Sequence, residues 1–484
     1  MNSATKSFMR QKLVNRLANW FSLGLFVFVL LFLCSCAAPV TKQVVTPINP
    51  FSLFLQPLPQ EAHRLSFTIA KIVALNIDGQ EFSLTSGTLA LSADNLTGQQ
   101  KRLLTATLPP GRYSGLRLML TNTSLQGEEG AIDLLTPAEP IYVNYPFTIH
   151  NKQAQTLFLS LSADRLVTDG VFFTPQFFLW KPERMLANLK GFVSNSGSQS
   201  LTVFNKRTAL VTDTILVGKN PKDLALDQRR RWLYVALAGE DMIAVVDVES
   251  GDILGQVSLR FGDEPTELAL TASGKTLVVL NHGSESVSII DTSSLFEKGR
   301  IRLTAEPGNI FVGIGEDRAF VTHVSDSALS VLDLQAQTVQ LTARLEQAPV
   351  DGVISTDGQS IYLINDFSAE LIDLDAASVT RQSKIFVGNG AISIKQDGSN
   401  GQLFIGKRSG EISVVDPRAL IAIDRFPSLK GTVQDLTIDN EENAIFVVLP
   451  QLEQLVKIDL ISKQILGRLI LGTDSHAVVI MGER

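Results

Sequence analysis

Apolar and polar residues alternate with a period of two through most of the chain after residue 50, with no sustained helical period. The alternation predicts strands, clearest between residues 51 and 185 in LSFTIAKIVALNI (65–77) and TLFLSLSADRLV (156–167). Further on, one strand-like pattern returns at intervals. IAVVDVESGDIL (243–254) is followed by VSIIDTSSL (287–295), LSVLDLQAQTV (329–339), AELIDLDAASV (369–379), ISVVDPRAL (412–420) and LVKIDLISKQIL (455–466). Their central aspartates, Asp247, Asp291, Asp333, Asp373, Asp416 and Asp459, stand 44, 42, 40, 43 and 43 residues apart.

A period near 42 built only from strands predicts propeller blades. First strands read DLALD (223–227), ELALT, NIFVG, DGVIS, AISIK and DLTID (435–439), and second strands run from WLYVAL (232–237) to AIFVVL (444–449). The aspartate segments are third strands, and runs such as ILGQVSL are fourth. First strands are expected to be apolar and small because they crowd the channel. The aspartates are expected to cap the following turn through its backbone N–H groups.

Six complete blades fill about residues 217–470 and leave two remnants. HAVVIM (476–481) is a first strand without successors; GFVSNS (191–196), LTVFNKR (201–207) and ALVTDTIL (209–216) are successors without a first strand. Asn205 lies 42 residues before Asp247, in the aspartate's place. Pairing the remnants makes a seventh blade and removes open edges. The expected fold is therefore all-β, an N-terminal β-sandwich (51–185) followed by a seven-bladed β-propeller (186–484) closed by its C-terminal strand.

Within the sandwich, Leu108-Pro109-Pro110-Gly111 is expected to form a type II turn, with YSGLRLML returning as the partner strand. LPPGRYSGLRLML, with LFLSLSADRLV and FFTPQFFLW, resembles a lipoprotein domain family of unknown function with a prealbumin-like β-sandwich; the resemblance brings no catalytic residue. The later repeats resemble the YVTN-type propeller family. They do not resemble WD40 repeats, since no Trp-Asp dipeptide occurs, or quinone-cofactor dehydrogenases, since Trp232 is the only ring tryptophan.

The N-terminus bears on location. Lys6, Arg10, Lys12 and Arg16 precede the apolar run WFSLGLFVFVLLFL (20–33), too short for a spanning helix of about 20 residues. Leu33-Cys34-Ser35-Cys36 resembles a bacterial lipobox, with Cys36 as the lipidated residue because small Ser35 precedes it. Residues 1–35 are then a lipoprotein signal peptide and residues 36–50 a lipidated, proline-stiffened tether. By family resemblance, Ala37 after the cysteine implies an outer-membrane lipoprotein of the bacterial cell envelope, facing the periplasm or cell surface. The body is 45% hydrophobic and 19% charged over the full chain, which is globular. Without residues 1–35 it carries 38 basic and 49 acidic residues, a balance that disfavours nucleic acid. No cysteine follows Cys36, which excludes disulfides, cysteine-bound zinc and cysteine nucleophiles there.

Candidate chemistry gathers where second strands lead into third strands, on one face around the channel mouth. Glu240, Asp241, His282, Glu285, His323, Asp326, Asn365, Asp366, Lys407 and Arg408 are expected on that binding face. His282 and His323, in neighbouring blades, are weak candidates for a metal pair with Asp326 or Asp366; no metal or cofactor is expected. Gly313-Ile314-Gly315 lies in a strand and its turn, Arg229-Arg230-Arg231 reads as a solvated turn, and His63 and His150 as surface or edge positions. No G-x-S-x-G or H-E-x-x-H occurs. These readings point to a non-enzymatic, lipid-anchored envelope protein that binds a protein or glycan through its propeller face. The alternatives are a metal-assisted hydrolase of the lactonase kind and a carbohydrate or surface adhesion protein with the sandwich as binder.

Overall fold

The computed structural model describes residues 49–482, apart from 63, 93–95, 97, 129 and 184. The expected signal peptide, Cys36, most of the tether and His63 lie outside the described residues.

Alternation in residues 50–180 produces two main sheets with a shared core, beside a short ladder of Val167–Thr168 with Phe172–Phe173. One orders Phe177–Trp180, Gln155–Leu161, Pro50–Leu55 and Lys101–Thr107. The other is built on Leu65–Asn76 and Gly111–Gly127. Phe51, Phe67, Leu116, Leu118, Leu157 and Phe173 fill the space between them. The expected hairpin at Pro109-Pro110 does not form. Lys101–Thr107 pairs with Pro50–Leu55, whereas Gly111–Gly127 pairs with Leu65–Asn76 and Ile141–Ile149 in the other sheet. The two prolines offer no N–H to a ladder, so this link carries the chain between sheets. Gly111 sits at φ +154°, well away from a type II corner, and the Tyr113 hydroxyl donates to the Pro109 carbonyl at 2.8 Å.

Seven antiparallel four-stranded sheets follow. Blade one runs Pro221–Asp227, Trp232–Leu237, Met242–Asp247 and Ile253–Ser258, and blades two to six repeat this order from Pro265, Pro307, Asp351, Ala391 and Asp435. Blade seven draws on both ends of this region. Ser475–Ile480 lies beside Lys190–Asn195, which pairs in turn with Ser200–Asn205 and then Leu210–Leu216. Gly191 faces Ile480 and Val193 faces Val478. Each first strand touches the first strand of the next blade, and Ser475–Ile480 touches those of blades six and one.

Polar side chains hold the joining blade. The buried Lys206 ammonium donates to the Met481 carbonyl at 2.8 Å and lies 3.2 Å from both Asp439 and Glu441. On the other side Gln228 bonds both the Ile480 carbonyl and the Gly482 N–H. The outer edge of the same blade is met by the sandwich: Gln100 donates to the Val211 carbonyl at 3.1 Å and accepts the Val211 N–H at 3.0 Å, as a neighbouring strand would. Arg102 reaches the Leu471 carbonyl and Glu453, and Phe54 and Phe158 join Phe204, Val211 and Leu471 in one apolar cluster.

The turn-capping aspartates follow one rule with one correction. Asp247, Asp291, Asp333, Asp416 and Asp459 each end a third strand and accept N–H groups two or three residues ahead, and Asn205 does the same. In blade four the residue doing this is Asp375, not Asp373. Asp373 lies two positions earlier, buried inside the strand and bonded to Ser383. With Asp375 in place, the intervals on either side of it become 42 and 41 residues.

Candidate functional site

Ladder register places one residue from each first strand at the same level of the channel. Leu224, Leu268, Ile310, Gly352, Ile394, Leu436 and Val478 face equivalent positions of their second strands. The residues just before them are Asp223, Glu267, Asn309, Asp351, Ser393, Asp435 and Ala477, spaced 44 and then five times 42. Four carboxyl groups thus ring one level of a cavity of about 620 Å³. The expectation of small apolar residues along the channel was incomplete. Six of these seven positions are polar, Ala477 being the exception, and they acquire meaning only when the blades are superposed.

Part of the ring is structural. The Leu268 N–H donates to Asp223 at 2.8 Å, Ile394 N–H to Asp351 at 2.9 Å and Val478 N–H to Asp435 at 2.9 Å, so each carboxylate stitches its blade to the next. The Asn309 amide donates to Asp351 at 2.8 Å. The Glu267 carboxyl group takes part in none of these bonds. Enclosure within the ring pushes Asp223 up to about 6 and Asp351 up to about 7, against the pull of these N–H groups and Lys395. Glu267 is held well above the usual carboxylate range by enclosure first, then by the charges of Asp223, Asp351 and Asp435. One residue earlier in the strands, the Lys222 ammonium lies 2.8 Å from the His476 Nε2 atom. Burial lowers the pKa of both, with their proximity lowering His476 further.

The ten residues expected on the channel-mouth face divide into two groups. Asp326, Glu285 and the half-exposed His282 stand in loops there, and Glu240 accepts the Lys219 N–H at 3.1 Å. Asp241 accepts the N–H groups of Gly262 and Glu264, bracing the next loop. Arg408 reaches out from a short two-pronged pair with Asp366, whose own side chain is buried. Asn365 is buried and accepts the N–H groups of Phe367 and Ser368, while buried Lys407 pairs with Glu411.

His323 is not on the face. It ends its second strand, in register with Asn281 and Lys407, whereas His282 is one residue past that point. It is 1% exposed, with Nδ1 on the Ala305 carbonyl at 3.1 Å and Nε2 on the Ser330 hydroxyl at 2.8 Å. Both nitrogens are occupied, so it does not complete a metal pair with His282. Among the described residues, no three His, Cys, Asp or Glu side chains converge as a ligand set. Arg230 also departs from a purely solvated turn: it bonds the Gly274 carbonyl and the Thr292 hydroxyl.

Loops joining second to third strands and fourth to next first strands share the channel-mouth face. In blades one to seven they hold twelve acidic residues against four basic ones. The loops of the opposite face, from 206 to 464, hold eight of each. The ring is therefore electrostatically two-sided.

Comparison with known proteins adds to this geometry. A family model described as YNCE-like beta-propeller matches residues 185–483. The uncharacterized protein YncE of Salmonella typhimurium is 26% identical over 211 residues, 41% of this chain and 58% of that protein. The seven-bladed beta-propeller protein Rv1057 of Mycobacterium tuberculosis is 31% identical over 148 residues, 30% of this chain and 35% of that protein. The chain thus spans less than two-thirds of the length of these curated relatives. Among solved structures, a functionally unknown protein from Desulfotomaculum acetoxidans superposes with a TM-score of 0.55 over 61% of this chain and 99% of that one, at 12% identity, a likeness of fold alone.

Proposed function

The chain belongs to the YncE-like β-propeller family, and from that premise we propose that it is a lipid-anchored, non-enzymatic envelope protein that binds a partner on its channel-mouth face. The observation that carries this reading is the two-sidedness of the ring. One face concentrates charge around a polar cavity, and the other is balanced. A surface of one sign speeds and selects the approach of a complementary partner. The lipobox-like Cys36 and the proline-containing tether would hold the body at a bilayer, where a non-diffusing scaffold meets its partner. Residues 51–185 fit a prealbumin-like lipoprotein domain; among the described residues they pack against blades six and seven.

The test is crosslinking of the intact lipoprotein in its native envelope, followed by recovery of adducts. A partner recovered with the wild type and lost when Glu240→Arg and Glu285→Arg halve the net negative charge of the face supports the reading. Equal recovery from that variant, or turnover of a lactone by the purified chain, overturns it.

A further inference from the structure

Two phenylalanines stand almost wholly in water on the channel-mouth face: Phe261 is 101% exposed and Phe367 is 92% exposed. Flexible loops would fold such rings back onto the protein, and here the loops are braced against it. Around Phe261, the Arg260 N–H is bonded to Asp263 at 2.8 Å, and the Gly262 and Glu264 N–H groups to Asp241 at 2.9 and 2.8 Å. Asp263 is itself gripped by two Arg300 nitrogens at 2.7 Å and by the Ser284 hydroxyl. Phe367 donates its own N–H to Asn365 at 2.7 Å, and the Asp366–Arg408 pair stands beside it. Between the two, in blade three, Val324 is 43% exposed. Pre-set aromatic side chains lose little freedom on binding, which is what an interface anchor requires.

The surrounding charge decides what covers them. Glu264, Glu285, Glu306 and Asp326 are exposed in this sector of the ring, and the face as a whole is acidic. An anionic lipid surface would be repelled. Resting on the reading above that this face binds a partner, we infer that Phe261 and Phe367 anchor a cationic polypeptide segment that carries apolar side chains among its lysines and arginines. The segment lies across blades two to four, away from the docked sandwich.

The experiment uses the full chain and three synthetic peptides of equal length: Lys/Leu, Lys/Ser and Glu/Leu repeats, with binding followed by fluorescence anisotropy at low and high salt. The Lys/Leu peptide is expected to bind tightest. Replacing both rings (Phe261→Ser, Phe367→Ser) should weaken it about tenfold or more while leaving Lys/Ser binding unchanged. Glu285→Lys with Asp326→Lys should weaken both cationic peptides and flatten the salt dependence. The inference is overturned if the double Phe variant binds Lys/Leu as the wild type does, or if Glu/Leu binds as well as Lys/Leu. An envelope partner that crosslinks to this face in the wild type and in the Phe variant alike would sink the inference alone; no face-dependent partner at all would sink the broader reading.

Discussion

Single side chains in this ring do repeated, separable jobs. A carboxylate at the end of a third strand satisfies two turn N–H groups, and Asp375 does so in blade four. Asp375→Ala should therefore lower the urea midpoint of unfolding slightly, because the Ala377 and Ser378 N–H groups lose their acceptor. In the channel, Glu267 differs because its pKa is raised by enclosure and by three neighbouring carboxyl groups. A carboxyl group raised in the folded state favours folding in acid, and that contribution is lost as pH rises through its folded pKa. Glu267→Gln should thus stabilise the protein at pH 8 and change little at pH 4. Denaturation at the two pH values reads this directly; an equal effect at both would refute the like-charge account. These roles were hard to read from the chain. Asp373 and Asp375 both fit a strand-end pattern, and only the hydrogen bonds separate them. His282 and His323 look nearly equivalent when counted from the aspartates, nine and ten residues before Asp291 and Asp333, yet that one residue of register buries His323 between Ala305 and Ser330.

At the scale of elements, alternation and the recurring interval made the blades legible, because strand period and turn chemistry are local. The two terminal remnants could be matched because each lacked what the other supplied. The sandwich link was misread for a physical reason: Pro-Gly chemistry specifies a bend, not which sheet the next strand joins. Long-range polar contacts were equally invisible, Lys206 with Asp439 and Gln100 with Val211 among them. Lys206→Met should cost about 3 kcal/mol, because it leaves the Asp439 carboxylate buried without its cation. Gln100→Ala should cost about 1–2 kcal/mol by leaving the Val211 N–H and carbonyl unmet. Hydrogen exchange should show that loss confined to Leu210–Leu216 and its neighbours. Uniform loosening of all seven blades would contradict a local edge cap.

For the molecule as a whole, the division of charge between its two ends is the property most relevant to function. It follows from loop composition but is apparent only once topology assigns each loop to a face. In the proposed reading, a tether lipidated at Cys36 would set where that face is presented. Cys36→Ala should move the protein from the membrane to the soluble fraction of the envelope without altering its melting temperature. If the acidic channel-mouth face engages a partner, the contact is made visible within blade three by placing a photo-crosslinking amino acid at Asp326 on that face or at Ala336 on the opposite one, and irradiating the native envelope. A discrete adduct from position 326 and none from position 336 is the predicted result; adducts from 336 alone, or equally from both, would contradict it.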